Sequence, residues 1–305
     1  MKAWIKRNSG LRFDEVPPPN PRSDELLVKV DAVSLNRGEL RSVARAAEGV
    51  IPGWDVAGTV IAGAPNGKGP AIGTRVVALV AGGGWAELVS VPAAHAAVVP
   101  DEIALEVAAT LPVAALTVVR GLQVAGSLLG KRMLVTGAAG GVGQFAIQMG
   151  KSAGASVTGV SSRRTEWQAL HELGASDIVA AVNEAVGPFD FILESAGGQS
   201  LALAMERLAR GGGLVTIGNS SEEETTFNAR TLYGKGGAWI YGLLIFDEME
   251  NRRVDGRDLE RVISLVQSGR LRTSIALRRD WSELPTALEE FEQRSYAGKA
   301  VLTVR

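Results

Sequence analysis

The sequence predicts an α/β protein of two domains, one an all-β barrel-type domain and the other a doubly wound parallel sheet. Three observations point there. The chain has 305 residues, more than a single hydrophobic core usually organises. Its first third is a series of closely spaced, Val-rich runs between Gly and Pro turns. Its middle alternates short apolar runs with helical periodicity around a glycine-rich turn, the pattern of a parallel sheet with crossover helices.

The strand-like runs of the first third are Lys2 to Lys6, Leu11 to Glu15, Leu26 to Leu35, Ala57 to Ala62, Thr74 to Val80 and Gly84 to Val91. Pro17 to Pro19 and Pro21 stiffen an early connection, and Pro65 to Pro70 is a turn cluster without periodicity. From Ala104 to Val119 the pattern turns helical, broken at Pro112, and a further helix is expected from Gly121 to Leu129. Then come a strand at Met133 to Thr136, a helix at Val142 to Ala153, a strand at Ser156 to Val160 and a helix at Glu166 to Leu173. The alternation continues with a strand at Phe189 to Leu193, a helix at Ser200 to Leu208 and a strand at Leu214 to Ile217. An extended apolar run, Gly237 to Phe246, precedes helices at Asp258 to Ser268 and Leu284 to Arg294 and a closing strand at Ala300 to Val304. An all-β start and a helix-strand end around a nucleotide-binding middle let the termini share one domain, giving 1–115 with 246–305 against 116–245.

The organising stretch is Met133 to Gly143. A short apolar strand runs into Gly137, Gly140, Gly141 and Gly143, and the apolar stripe Val142, Ala146, Met149 and Ala153 follows at helical spacing. Gly137 permits a sharp turn, Gly140 and Gly141 let backbone amides approach an anion, and Gly143 allows close helix-strand packing. The helix N-terminus, at Gly141 and Val142, then faces a pyrophosphate. The spacing is G-x-x-G-x-x-G rather than the commoner G-x-G-x-x-G, so the flanking strand and helix carry much of the argument.

Composition narrows the function. Lys plus Arg number 32 against 33 Asp plus Glu, a balance without general attraction to nucleic acid or anionic membrane, so small-molecule partners are expected. There is no cysteine, which removes disulfides, thiolate nucleophiles and Cys-ligated zinc. His95 and His171 are the only imidazoles, expected in a loop and on an exposed helix face. No signal-peptide pattern and no bilayer-length apolar run occur, which makes the cytoplasm the expected location.

About twenty residues past the first glycine of a dinucleotide fold, an acidic side chain normally meets the adenosine ribose. Here that place holds Ser161, Ser162, Arg163 and Arg164. Two guanidiniums and two hydroxyls without a carboxylate suit a 2′-phosphate, hence NADPH rather than NADH, although a solvated pair of arginines opening a helix fits the same residues. Ligands of open α/β sheets lie beyond the carboxyl ends of the strands, so the loops Glu194 to Gly198, with Ser195, and Gly218 to Ser221, with Asn219, are candidate cofactor contacts or simple turns.

Several further segments carry a resemblance: Val33 to Leu40, Pro52 to Val60, Gly73 to Val77, Gly84 to Glu87, Leu111 to Thr117, the glycine turn and Gly298 to Leu302. In this order and spacing the chain resembles, over nearly its whole length, the zinc-independent quinone oxidoreductases of the zeta-crystallin-like branch of the medium-chain dehydrogenase/reductase superfamily. The resemblance implies a GroES-like catalytic domain beside a Rossmann domain. Zinc-dependent relatives have Cys and a Gly-His-Glu segment where this chain has Asn36 and Gly53-Trp54-Asp55. It also implies that Asn36 stands beside nicotinamide and substrate, where it is otherwise read as a turn residue, and that Thr117 lies near the nicotinamide. Trp54 replaces a small or sulfur-containing residue and becomes a candidate pocket wall. A tyrosine common in the catalytic domain of relatives is missing, because Tyr233, Tyr241 and Tyr296 all come late in the chain.

The expected activity is metal-free hydride transfer from NADPH to a quinone or an α,β-unsaturated carbonyl, with Asn36 as donor to the developing oxyanion. The alternatives are a zinc-independent alcohol or ketone dehydrogenase of the same fold and a non-catalytic NADPH-binding protein. The run Ala238 to Phe246 reads as a strand at the sheet edge, through which relatives commonly form a two-fold dimer, or as one buried within the monomer, and the edge reading makes a homodimer the expectation. Its Gly242-Leu243 end is also a candidate for the nicotinamide pocket.

Overall fold

The computed structural model describes residues 1–251 and 253–304. A hairpin of β1 (Lys2–Arg7) and β2 (Gly10–Glu15) is followed by β3 (Glu25–Ser34), α1 (Arg37–Arg45), β4 (Asp55–Ala62), β5 (Arg75–Leu79), β6 (Leu88–Pro92) and β7 (Ala96–Val98). Helices α2 (Leu105–Ala109) and α3 (Pro112–Ala125) lead into β8 (Arg132–Thr136), α4 (Gly141–Ser152), β9 (Ser156–Val160), α5 (Trp167–Leu173) and β10 (Asp177–Val179). Next come β11 (Phe189–Glu194), α6 (Gly198–Glu206), β12 (Leu208–Thr216), α7 (Ala229–Tyr233), β13 (Trp239–Gly242) and α8 (Ile245–Glu250). The chain closes with α9 (Gly256–Gln267), β14 (Ile275–Asp280), α10 (Leu284–Glu292) and β15 (Lys299–Thr303).

Two compact units result, one of Met1–Leu116 with the described part of 252–305, the other Thr117–Asn251. In the first, the sheet runs β14-β15-β3-β4-β5-β7, with β6 also paired to β3. Its neighbours are antiparallel except β14 and β15. Leu26, Val28 and Val30 alternate inward along β3 and pack with Val56, Val76 and Trp85, the period-two pattern of a sheet with one buried face. β15 pairs with β3 through Val301 and Ser34, so the end of the chain completes the sheet that its beginning starts.

The second unit is a parallel sheet in the order β10-β9-β8-β11-β12-β13. Numbered by their own sequence, its strands run 3-2-1-4-5-6, and the order reverses between β8 and β11. A dinucleotide belongs at that reversal. Leu134, Ile192 and Leu214, fully buried on the central strands, belong to its core.

Several expectations need correction. The helix expected from Gly121 to Leu129 is instead the end of α3, which runs through Gly121 to Ala125, whereas the break expected at Pro112 is present, α2 ending at Ala109 and Pro112 opening α3 because its missing N–H is no loss in a first turn. A Cβ on Gly121 would lie 3.3 Å from Leu193 Cδ1, so the glycine there serves close packing. Only Trp239–Gly242 of the run 237–246 is strand, and Ile245 begins a helix. That helix belongs with the nucleotide-binding sheet rather than with 246–305 as expected, because buried Glu248 is held by Arg120 Nε at 2.7 Å and Tyr241 Oη at 2.5 Å. The sequence reading missed α1, which has only Leu40, Val43 and Ala44 as apolar residues among charged ones, the short helix α7 and the short strands β7, β10 and β14.

Candidate functional site

In the parallel-sheet unit the site grows from the end of β8. Gly137 adopts φ +62°, which a side chain rarely tolerates, and turns the chain at the strand end. Gly140 donates its N–H to Gly137 O at 2.9 Å and caps α4, with ordinary φ of −78°. Its value is therefore the missing side chain above the amides, and even a Cβ would lie 3.3 Å from Gly137 O. At Gly143 a Cβ would fall 2.3 Å from the same oxygen, so only glycine lets the helix rest on the turn. The first-turn N–H groups at Gly141 and Val142 have no carbonyl a turn earlier within α4 to bond, and with the positive helix end behind them they could hold an anion.

Across the reversal point lies the loop after β11. Ser195 N–H donates to Thr136 Oγ1 at 2.8 Å, and a Cβ on Gly137 would meet Ser195 Oγ at 2.7 Å, so the two loops touch. Glu194 binds them together. Fully buried, its carboxylate accepts from Ala196 N and Gly197 N at 3.0 Å each, from Ser200 Oγ at 3.0 Å and from Thr136 Oγ1 at 3.2 Å. The loop after β12 is laced to the same place, with Ser220 N–H donating to Ser195 O and Ser221 N–H to Ala196 O. A Cβ on Gly218 would lie 3.2 Å from Ser195 O, and one on Gly197 only 2.0 Å from Asn219 Oδ1. Three loops from β8, β11 and β12 thus form one interlocked rim. The sequence singled out Ser195, Gly218 and Asn219 but not the bracing role of Glu194, for which the sole signal is a carboxylate at the end of an apolar strand.

The same unit holds the other candidates. Leu243 N–H continues the ladder to Thr216 O at 2.9 Å, leaving Gly242 exposed and Leu243 buried. Thr117 is buried in α3. At the end of β9, Ser161 is buried and Ser162 and Arg164 are exposed.

The first unit contributes a buried polar knot. Asn36, at the N-terminus of α1, is 7% exposed. Its Oδ1 accepts from Lys299 Nζ at 2.7 Å, and its Nδ2 donates to Asp55 Oδ2 at 2.8 Å and weakly to Ser34 O at 3.4 Å. Lys299 uses its remaining donors on Asp55 Oδ2 at 3.2 Å and Leu35 O at 3.1 Å. Asp55 Oδ1 accepts from Val113 N at 2.9 Å. Glu39 closes the knot with Oε2 on Asn36 N at 2.6 Å and Oε1 on Trp54 N at 2.8 Å. Burial, then the Asp55 charge, push the Glu39 carboxyl up to about 8, and burial raises Asp55 against the pull of Lys299. One ammonium faces two carboxyls, so Glu39 carries a proton at neutral pH.

Trp54 lies on the knot's outer side, where a Cβ on Gly38 would come within 2.8 Å of its six-membered ring. The indole is thus seated on the first turn of α1. Tyr296 belongs to this unit despite its late position, because the last fifty or so residues fold back beside β3. It stacks on Phe291 with centroids 5.9 Å apart, its hydroxyl buried without a partner among the described residues, and burial raises its pKa.

A zinc ion does not fit the knot. The positions that hold Cys and His in zinc-dependent relatives present an amide and an indole, and the ammonium of Lys299 already fills the cation's role between Asn36 and Asp55. Among the described residues no three or more His, Asp or Glu side chains are grouped to hold a metal. His95 lies in the first unit and His171 in the second.

Comparison with known families agrees with both units. Residues 22–101 match the alcohol dehydrogenase GroES-like domain, and residues 141–260 match the zinc-binding dehydrogenase family. The chain belongs to the medium-chain dehydrogenase/reductase superfamily. It is 28% identical over 318 residues to the chloroplast envelope quinone oxidoreductase homolog of Arabidopsis thaliana, covering 96% of this chain and 94% of the plant protein. It is 25% identical to the acryloyl-coenzyme A reductase of Sulfurisphaera tokodaii, covering 96% of each. A mycobacterial protein solved in complex with NADPH superposes with a TM-score of 0.88 at 25% identity, over 99% of this chain and 100% of that one. The GroES-like and Rossmann architecture is therefore this chain's own. No helix among the described residues is long and apolar enough to cross a membrane.

Proposed function

We propose that this oxidoreductase uses NADPH to reduce a quinone or an α,β-unsaturated carbonyl without a metal. The observation that carries the reading is the Lys299 ammonium bonded at once to Asn36 and Asp55. The cation is built in, and it fixes the direction of the Asn36 amide.

NADP(H) is the cofactor, and its nicotinamide supplies the hydride when bound. The amides behind Gly140, Gly141, Val142 and Gly143 hold the pyrophosphate, and Gly137 turns the chain out of its way. Ser161, Ser162, Arg163 and Arg164 take the adenosine ribose and its 2′-phosphate, where fork-like donors match phosphate oxygens. Ser195, Gly218 and Asn219, braced by Glu194, border the nicotinamide half, with Thr117, Gly242 and Leu243 assigned to the ring itself. Asn36 steadies the acceptor oxygen. Its bond to Ser34 O, at 3.4 Å, is the weakest it makes, so with the amide held in place that N–H is the one left to share with an oxyanion. Trp54 forms a wall that favours flat acceptors, and the final proton comes from water.

The names of the plant and archaeal relatives support a quinone or a conjugated carbonyl as acceptor. A homodimer joined through the free edge of β13 is part of the same reading, since that strand ends the sheet and Ile240 is 39% exposed. NADPH oxidation with matched quinones, enones and simple ketones tests the activity, before and after exhaustive chelation. Turnover with quinones or enones that survives chelation is expected. Turnover only with ketones would make the protein an alcohol dehydrogenase, and tight NADPH binding without turnover would make it a binding protein.

A further inference from the structure

The turn after β9 is held by a residue that neither the glycine motif nor the arginine pair brings to notice. Ser161 N–H donates to Val179 O at 2.9 Å, and Ser161 Oγ accepts from Arg163 N at 3.3 Å, which fixes the start of the turn. Trp167, the first residue of α5, then reaches back over it. Its Nε1 donates to Ser161 O at 2.9 Å, and its ring carries the Arg164 guanidinium with Cζ 5.1 Å from the centroid. A single half-buried indole therefore ties the turn at both ends, through the backbone at Ser161 and through the side chain at exposed Arg164.

The consequence concerns selectivity. An arginine on an exposed turn gives up considerable rotamer freedom when a phosphate recruits it. Held over the indole, the guanidinium is attracted by the ring while its N–H groups stay available for a forked contact with phosphate oxygens. We infer that Trp167 is a positioning residue that pre-orients Arg164 for the 2′-phosphate, and so sets the preference for NADPH over NADH. The inference rests on the assignment of Arg164 to that phosphate. Trp167 acts through Arg164 and is not itself a catalytic residue.

Calorimetric titration of NADPH and NADH into the full-length protein tests it, using Trp167→Leu, Trp167→Phe, Arg164→Ala and the Arg164→Ala/Trp167→Leu double variant. Thermal unfolding confirms that each variant is folded, and Trp167→Phe, which keeps a ring face but loses the N–H, substitutes if the leucine variant is not. The leucine variant is expected to weaken NADPH about fivefold and NADH less than about twofold. The phenylalanine variant falls between it and the parent, and in the Arg164→Ala background Trp167→Leu adds nothing to the NADPH loss. Equal losses for both nucleotides, or additive losses in the double variant, would overturn the role of Trp167. An Arg164→Ala variant with unchanged selectivity would overturn the phosphate assignment and this inference with it. Altered selectivity in Arg164→Ala but not in Trp167→Leu would overturn the inference alone.

Discussion

Lys299 Nζ lies 2.7 Å from Asn36 Oδ1, although the two residues are 263 positions apart in the chain. The contact exists because β15 returns to pair with β3, bringing the last strand beside the start of α1. It gives the Asn36 amide a single orientation, since a lysine can only donate and Asp55 accepts on the other side.

Removing that ammonium is expected to be costly. Lys299→Met leaves Asp55 buried without its counter-charge, and stability in urea should fall by about 3–5 kcal/mol. A loss below about 1 kcal/mol would mean that water or protonation compensates fully and that the knot is not the centre of this unit.

Stability should also depend on pH through Glu39. Its folded value of about 8 stands above the ordinary 4.5, so between these values the folded protein keeps a proton that the unfolded chain releases. Stability then decreases as pH rises through this window, by up to about 1.4 kcal/mol per unit, and the contribution is gone above pH 8 or so. Glu39→Gln should flatten that slope when urea midpoints are compared across the window, even if the lost acceptor lowers stability at every pH. An unchanged slope would assign the titration to another group.

The glycine turn separates binding from folding. Gly140→Val places its bulk over the free amides and is expected to abolish NADPH and NADH binding alike in calorimetry, while the variant stays folded. Gly143→Ala, whose Cβ would lie 2.3 Å from Gly137 O, should instead destabilise the protein by about 1–3 kcal/mol. The reverse pattern would mean that the anion is held elsewhere.

For the proposed dimer, sedimentation at micromolar concentration gives the decisive reading. A dimer that Ile240→Lys dissociates without loss of NADPH affinity is expected, because β13 is the unpaired edge of its sheet. A monomeric parent protein refutes the proposal. Tyr241 is the poorer probe, since its hydroxyl is bound to Glu248 and Arg120 and its replacement would disturb α8.

What the chain determines locally was legible in advance. Val135 and Thr136 running into Gly137, Gly140 and Gly143 specify strand, turn and helix because apolar periodicity and left-handed backbone are short-range properties. The alternation of elements likewise specified a parallel sheet, and the missing cysteines ruled out Cys-ligated zinc. Only the tertiary structure decided which distant polar groups meet. Asn36, Asp55, Glu39 and Lys299 come from separate strands and a helix, and nothing in their spacing signals that one ammonium answers two carboxyls. Glu194 and Trp167 act through loops that converge only once the sheet is assembled. Partners of buried charges are selected by strand order, a long-range property that a chain read in sequence does not carry.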